Sequence, residues 1–329
     1  MSDLQAVYSL SICGRAILDM HSLNNEGGEG NQIATRMVNL VYRDRASGEY
    51  KLATVNAISG DMFKHIQAEH LYLMARGNLP LCAGCKKFSA SRILDDKDFM
   101  DNLPAKDSEV IDKLLERCVL DDMEGNLIAK GARSVPRKSV AEFGWVVGVP
   151  EYTTTESYFH VRYAAERGER SEELQQQAIF HRPASSGIYA IVANFEIARI
   201  GFNDISQQYP ISDEERLKRY LVLMKSILYT FIEPNGAMRG TQNPHIVGFE
   251  GVVTVSKNVM PAPALSPLNE SYRKEVEQVA AALNELNPGA VEVHQFDSMS
   301  QFAEVMKNII RNTQPYKLAL ARDNHVARS

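Results

Sequence analysis

The segment from Val7 to Leu18 constrains the fold most, because its side chains alternate between two chemically different faces. One face carries Tyr8, Leu10, Ile12, Ala16 and Leu18, and the other carries Ser9, Ser11, Cys13 and Arg15. A period of two with one apolar side is typical of a β-strand packed on a core. We therefore expect a half-buried strand whose polar face is open for binding.

A glycine-rich loop, Asn24–Asn31, follows this strand and contains three glycines within four residues. Glycine tolerates positive φ and lets the backbone approach a ligand closely. The next strand-to-helix turn, Ile58–Lys64, offers Ser59 as an N-cap and free N–H groups at a positive helix end, which suits a phosphate. An ordinary hairpin loop is the alternative. A nucleotide-binding P-loop is excluded, because no lysine followed by a hydroxyl residue stands directly after Gly30.

Capping signals and apolar stripes predict the rest of a mixed helix-and-strand domain. Ser212 and Glu215 form a capping box before a long apolar stripe. In chain order we expect a helix after Ser59, a core strand at 187–200, a helix after Ser212, a helix capped by Asn269, a strand at 291–296, a helix carrying Phe302, Met306 and Ile309, and a polar tail at 312–329. This order suits an α+β, ferredoxin-like βαββαβ sheet with a large insertion that begins at residue 76.

Composition limits the class of protein. The 329 residues, 44% hydrophobic and 23% charged, suffice for one elaborated domain or two small ones. A net charge of −5 argues against a uniformly basic nucleic-acid-binding protein but allows a local basic groove. No apolar run reaches the length of a membrane span, and four irregularly spaced cysteines do not form a disulfide framework. We expect a cytoplasmic protein without membrane contact.

A basic run next to aromatic residues indicates one candidate binding site. Lys130, Arg133, Arg137 and Lys138 occur without an intervening acid, and Phe143 and the single tryptophan, Trp145, follow them. Cations that follow a backbone and rings that stack on bases suit single-stranded nucleic acid. A solvated hairpin with the tryptophan in a minor core explains the same residues. The pattern alone leaves both interpretations open.

The cysteines indicate a candidate metal site. Cys82 and Cys85 have the C-x₂-C spacing with which two thiolates hold one tetrahedral zinc ion, and Cys118 lies downstream. An imidazole would complete the site. We expect His70 in that role, while His65, at the ligand-facing turn, contacts nucleic acid instead. Free thiols in a loop are the alternative, and the sequence has no motif of a catalytic zinc site.

Several of these motifs, taken in order, resemble a known family. They are the Asn24–Asn31 loop, Ile58-Ser59-Gly60 with Lys64 and His65, Asp121-Asp122 with Gly125, Arg137-Lys138, Phe143-Gly144-Trp145, Ser185-Ser186-Gly187-Ile188-Tyr189 and Pro234-Asn235-Gly236-Ala237. Their order and spacing are similar to those of the DevR-type CRISPR-associated backbone protein of type I Cascade complexes. The resemblance extends from about residue 5 to about residue 270.

The resemblance implies a right-hand-shaped subunit. Its parts would be an RRM-like palm, first half at 1–75 and second half at 184–260, a finger insertion at 76–149, a thumb at 150–183 and a C-terminal helical extension of the palm at 261–329. Such subunits are non-catalytic and need no cofactor, although a structural zinc is compatible with them. Copies polymerise along the spacer of a CRISPR RNA, together with other Cascade subunits, and leave the guide free to pair with target DNA.

The resemblance also implies which side chains contact the guide RNA. They are Asn24, Asn25, Asn31, Arg36, Ser59, Gly60, Lys64, His65, Arg133, Arg137, Lys138, Phe143, Trp145, Met238, Arg239, Gln242, Asn243 and His245. The alternative function is a metal-dependent ribonuclease that cuts guide-bound RNA. Related nucleases carry an aspartate in the loop after the first strand. This loop offers Glu26 and Glu29, with Asp19 only at its entrance, so we expect no cleavage.

Overall fold

The computed structural model describes residues 4–30, 32–162 and 178–319. The strands are β1 (Gln5–Val7), β2 (Ser9–His21), β3 (Asn25–Glu29), β4 (Gln32–Thr35), β5 (Met37–Arg43), β6 (Tyr50–Ile58), β7 (Asn126–Lys130), β8 (Arg133–Arg137), β9 (Ala141–Phe143), β10 (Val146–Arg162), β11 (Ala178–Phe195), β12 (His245–Ser256), β13 (Val291–Phe296) and β14 (Thr313–Pro315). The α-helices are α1 (Gly60–Ala75), α2 (Lys97–Asp101), α3 (Asp107–Arg117), α4 (Val119–Glu124), α5 (Asp213–Ile232), α6 (Tyr272–Leu286) and α7 (Met299–Asn312). None of the helices in these ranges is long and apolar enough to cross a membrane.

One antiparallel sheet organises the molecule, with the strand order β13-β12-β2-β11-β10-β6-β5. β9 adds to β11 on the same side as β10, with Phe143 opposite Ala193. The pair β10–β11 extends as a long ribbon as far as Arg162 opposite Ala178. Residues 163–177, the middle of the predicted thumb at 150–183, lie outside the described residues. The chain is therefore a mixed helix-and-strand protein built on antiparallel pairing.

Strand β2 lies at the centre of this sheet and is buried on both faces. Leu10, Ile12 and Leu18 join the main core as predicted. The prediction that the opposite face is open is wrong, since Ser11 is 2% exposed and its hydroxyl donates to the Ala262 carbonyl oxygen at 2.9 Å. The linker after β12 and helix α6 cover this face. The open binding surface must lie elsewhere.

Two predicted helix starts are confirmed by their capping bonds. The Ser59 hydroxyl accepts from the Met62 N–H at the start of α1, and the Ser212 hydroxyl accepts from the Glu215 N–H at the start of α5. The third helix starts later than predicted. Asn269 accepts from the N–H of Ser271 at 2.9 Å within the preceding turn, and α6 begins at the next residue.

The C-terminal part agrees with the sequence prediction except in the tail. The predicted strand is present as β13, and the predicted last helix is present as α7. The buried residues of α7 are Phe302, Met306 and Ile309. The prediction of a polar tail is wrong for its first residues, because β14 pairs in parallel with β1, with Thr313 opposite Gln5. The Thr313 hydroxyl is also 2.5 Å from the buried Tyr220 hydroxyl. This contact ties β14 to helix α5.

Candidate nucleic-acid interface

The loop after β2 is fastened to the start of helix α1 by a side-chain hydrogen bond. The backbone N–H of Ser59 donates to Asn24 Oδ1 at 2.8 Å, while the Ser59 hydroxyl caps the helix. Asn24 is only 6% exposed. It therefore positions the loop against the positive end of α1, where the first N–H groups have no intrahelical acceptor. Its neighbour Asn25 accepts from the Ser22 hydroxyl at 2.7 Å, and Asn31 lies outside the described residues.

Glycine at position 60 allows a turn to cross the start of α1. A Cβ on Gly60 would lie 2.3 Å from the Phe143 carbonyl oxygen, closer than atoms can approach. The chain then continues into β10, where Val146 pairs with Ile58. This crossing places Trp145 beside the helix start, and its side chain is 45% exposed. The interpretation of Trp145 as part of a minor core is wrong.

Phe143, in contrast, is half-buried and packs against the core. Its ring centroid lies 5.5 Å from that of Phe195 and 6.2 Å from that of Phe63. These edge-on and tilted contacts fill the space between β9 and α1. Aromatic pairs of this geometry stabilise cores beyond their buried area. This packing gives Phe143 a structural role, and its contact with RNA stays a prediction.

Arg36 and Trp145 form a surface pair next to the helix start. The Arg36 guanidinium lies 5.6 Å from the centre of the indole ring, within the range of a cation–π contact. Its Nε is also 2.5 Å from Glu26 Oε1. The carboxylate fixes the guanidinium, which in turn faces the indole. The arrangement presents a flat ring and a cation together, as stacking on a nucleobase requires.

Lys64 and His65 line a cleft on the adjacent side of α1. The cleft measures about 320 Å³ and its walls include Phe88, Ser89 and Arg92. Burial lowers the pKa of Lys64. Arg92 and Phe88 were missed by the sequence analysis. They belong to an irregular segment, and no local pattern indicates that it packs against α1.

Arg137 is buried and is not a surface cation, which corrects its predicted role in RNA binding. Its Nη2 lies 2.6 Å from Asp122 Oδ1, and its Nη1 donates to the Phe202 carbonyl oxygen at 2.6 Å. Both side chains of this ion pair have zero exposure. A buried guanidinium must have its donors paired, because an unpaired charge is costly away from water. Arg137 thus joins the insertion to the turn after β11.

Arg133 and Lys138 of the same run are engaged with acids, while Lys130 donates to the Met100 carbonyl oxygen. Arg133 Nη2 lies 2.6 Å from Asp107 Oδ1. Lys138 is 53% exposed and its Nζ lies 3.0 Å from Glu196 Oε1 and 3.2 Å from Glu142 Oε1. The structure therefore does not gather the whole run into one basic patch.

The predicted contacts after helix α5 lie at the same end of β2 as the Asn24 loop. The N–H of Ala237 donates to the Leu23 carbonyl oxygen at 3.0 Å, and Gln242 Nε2 donates to the Pro183 carbonyl oxygen at 3.0 Å. In this segment Arg239 pairs with Glu233, Asn243 and His245 are exposed, and Met238 has a positive φ of 56°. His245 lies opposite Asp19 across β12 and β2. Arg182, missed by the sequence analysis, contacts Thr241.

A buried polar network supports this surface from below. The Tyr189 hydroxyl donates to Asn56 Oδ1 at 2.8 Å, and Asn56 Nδ2 donates to the Arg36 carbonyl oxygen at 3.0 Å. The ring of His21 packs edge-on against Tyr189 with centroids 4.9 Å apart. Burial lowers the pKa of His21 to about 4, so it is neutral at pH 7. The network fixes the strand ends from which the binding loops emerge.

The structure brings three of the four predicted metal ligands together. One ligand atom from each of Cys82, Cys85 and Cys118 lies within 4.8 Å of the others and of a carboxylate oxygen of Asp121. His70 is not part of this group. Its Nε2 lies 2.9 Å from the Glu233 carbonyl oxygen, and its ring packs on Tyr229. Asp121 therefore occupies the position for which the sequence analysis proposed His70.

Comparison with known families agrees with the resemblance seen in the motifs. A sequence profile described as CRISPR-associated negative auto-regulator DevR/Csa2 matches residues 12–277. The chain belongs to this family. A curated DevR/Csa2 relative, CRISPR-associated protein Cas7/Csa2 1 of Saccharolobus solfataricus, is 25% identical over 219 residues. This match covers 64% of the chain and 66% of the relative, just under two thirds of that protein's length.

Solved structures with a similar chain trace include two subunits of RNA-guided assemblies. One, titled CRISPR RNA-guided surveillance complex, pre-nicking, has a TM-score of 0.49 at 12% identity and covers 92% of this chain and 99% of that chain. The other, titled CRISPR RNA-guided surveillance complex, has a TM-score of 0.48 at 12% identity and covers 92% of this chain and 98% of that chain.

Proposed function

We propose that this DevR/Csa2-family protein is a non-catalytic, guide-RNA-binding backbone subunit of a type I Cascade complex. Copies lie side by side along the spacer of a CRISPR RNA, in contact with other Cascade subunits, and leave its bases able to pair with target DNA. Family membership and the Cas7/Csa2 relative support the proposal. The observation that carries it is the convergence of the α1 start, the Arg36–Trp145 pair and the segment after α5 at one end of β2.

The order of the central strands supports an RRM-like palm. Along the chain the elements run β2, α1, β9, β11, α5 and β12, and in space the strands run β12-β2-β11-β9. All pairings among these strands are antiparallel. This is the alternation expected for a βαββαβ sheet. In the proposal, the finger is the insertion at 76–149 apart from β9, which joins the palm sheet, and the ribbon of β10 and β11 leads into the thumb.

The geometry favours contacts with the sugar-phosphate strand over contacts that identify bases. N–H groups at the start of α1 suit a phosphate, as does Lys64 in the neighbouring cleft. Trp145 offers a ring on which any base can stack. Such contacts accept every spacer sequence, which a guide-RNA backbone subunit needs.

The environment of Glu26 supports a non-catalytic role. A carboxylate that activates cleavage must be free to bind a metal ion or a water molecule. Glu26 instead lies 2.5 Å from the guanidinium of Arg36. Incubation of the assembled complex with complementary RNA and Mg²⁺ tests this role, and the RNA should stay intact. Cuts at a constant spacing would favour the ribonuclease alternative.

The experiment that tests the proposal is co-expression of the full chain with a repeat–spacer transcript. We expect a ribonucleoprotein whose number of protein copies rises with spacer length, measured by native mass spectrometry. Random single-stranded RNA of the same length is the comparison. A protein that remains monomeric and free of RNA in the presence of its transcript would overturn the proposal.

A further inference from the structure

The cysteine cluster joins two segments that are separate in sequence. Cys82 and Cys85 lie in an irregular segment after α1, Cys118 lies between α3 and α4, and Asp121 is in α4. All four residues are buried. Every cysteine among them has a free thiol. None of the four residues lines the Lys64 cleft.

The distances within the cluster match a tetrahedral metal site. With zinc–sulfur bonds of about 2.3 Å, two ligand atoms of a tetrahedron lie about 3.8 Å apart. Here Asp121 Oδ2 lies 3.3 Å from Cys82 Sγ and 3.4 Å from Cys85 Sγ. All four ligand atoms lie within 4.8 Å of one another, so shifts well below a bond length suffice to hold an ion.

Neighbouring groups already orient the ligands. The N–H of Cys85 donates to Cys82 Sγ at 3.3 Å, which stabilises a thiolate at that position. The second oxygen of Asp121 accepts from Asn126 Nδ2 at 2.7 Å and from the Ile93 N–H at 3.3 Å, leaving Oδ2 directed at the sulfurs. Metal sites commonly have such supporting hydrogen bonds, because they fix ligand orientation.

Three cysteine sulfurs and one carboxylate oxygen, all from buried residues, make a donor set that suits zinc. When these groups are deprotonated, they place negative charges side by side away from water, and a divalent cation offsets the cost. Thiolate ligands select zinc over magnesium or calcium.

We propose that Cys82, Cys85, Cys118 and Asp121 bind a structural zinc ion. Four protein ligands close the coordination sphere, which leaves no position for a substrate or reactive water, so the role is structural. Binding releases the thiol protons to solvent and requires no oxidant or reductant. The ion fastens the segment that carries Phe88 and Arg92 onto α4. It thereby holds one wall of the Lys64 cleft.

The test is elemental analysis of the full chain purified without chelators. We expect one zinc ion per chain, which should fall below about a tenth in Cys85→Ser and in Asp121→Asn. The control variant is Cys13→Ser, a buried free cysteine in β2 that should retain zinc. His70→Ala should also retain zinc, since this histidine bonds elsewhere.

A second measurement uses the unmodified chain, so it tests the proposal even when the variants fail to fold. Cobalt loaded into the unmodified chain should show the visible bands of a tetrahedral ion and a sulfur-to-metal charge-transfer band. Three outcomes would overturn the proposal: no zinc in the unmodified chain, iron in place of zinc, or unchanged zinc in Cys85→Ser.

Discussion

Arg137 and Asp122 form an ion pair with no solvent exposure, and Arg219 Nη1 lies 2.9 Å from the other oxygen of the same carboxylate. The N–H of Gly201 donates to Asp122 as well, at 3.0 Å. One carboxylate thus joins β8, α4, α5 and the turn after β11. A basic residue that lies in a surface-like run of cations is in fact part of the core.

Removing either partner of this pair should destabilise the protein. We expect Asp122→Ala to lower the free energy of unfolding by about 3–5 kcal/mol, because two buried guanidinium groups lose the carboxylate that they share. Arg137→Ala should lower it by less, because Asp122 keeps its contact with Arg219. Denaturant unfolding measures the change. Lys138→Ala, an adjacent exposed cation, should cost less than about 1 kcal/mol. An Arg137→Ala protein of normal stability with weakened RNA binding would contradict the structural role.

Trp145 should contribute to RNA affinity without contributing to stability. Loss of one base-stacking contact costs about 1–3 kcal/mol, which is roughly a 5- to 150-fold rise in the dissociation constant. Trp145→Ala in filter-binding assays tests this. Tyr229→Ala, which removes a 40% exposed ring on α5, is the matched control and should bind normally. Equal affinities of the two variants would rule out stacking on Trp145.

Lys64 should contribute to RNA binding through its charge, independently of the spacer sequence. We expect Lys64→Ala to weaken binding equally for different spacers and to reduce the slope of log affinity against log salt by about 1. Titrations at several salt concentrations give the slope. Lys218→Ala removes an exposed lysine that pairs with Glu214 on α5, and it should leave the slope unchanged. A spacer-dependent loss in Lys64→Ala would mean that this side chain reads bases.

Glu124 should make the protein less stable as pH rises. It is 3% exposed, and burial raises its pKa from 4.5 to about 7, with the nearby cations Lys64 and Arg92 offsetting only part of that rise. The folded state therefore binds a proton that the unfolded state has lost, and stability falls between pH 4.5 and about 7. Glu124→Gln should gain about 1–3 kcal/mol at pH 8.

Urea unfolding across this pH range measures the effect. Glu116→Gln, on the exposed side of α3, is the control and should follow the unmodified protein at every pH. If Glu124→Gln shows the same pH dependence as the unmodified protein, the carboxyl is ionised in the folded state and the assignment fails.

Local signals in the sequence predict the structure correctly where residues close together along the chain determine it. Ser59 and Ser212 were recognised as caps because a hydroxyl three residues before a free N–H is a local pattern. The strand Val291–Phe296 was predicted with its observed bounds.

The errors arose where distant segments meet. The polar face of β2 is covered by a linker some 250 residues later, with Ser11 and Ala262 separated by 251 positions. Arg137 is buried by partners on α4 and after β11. Asp121 joins the cysteines because α4 folds back onto the C-x₂-C turn. Periodicity and spacing carry no information about such contacts.

The close approach of Gly60 to the Phe143 carbonyl has a consequence for assembly. Backbone packing fixes how far the helix start lies from the Phe143-Gly144 backbone that leads into Trp145, whatever the side-chain rotamers. In the proposal, each copy would therefore present its phosphate-binding helix start and the backbone of its stacking tryptophan at the same separation.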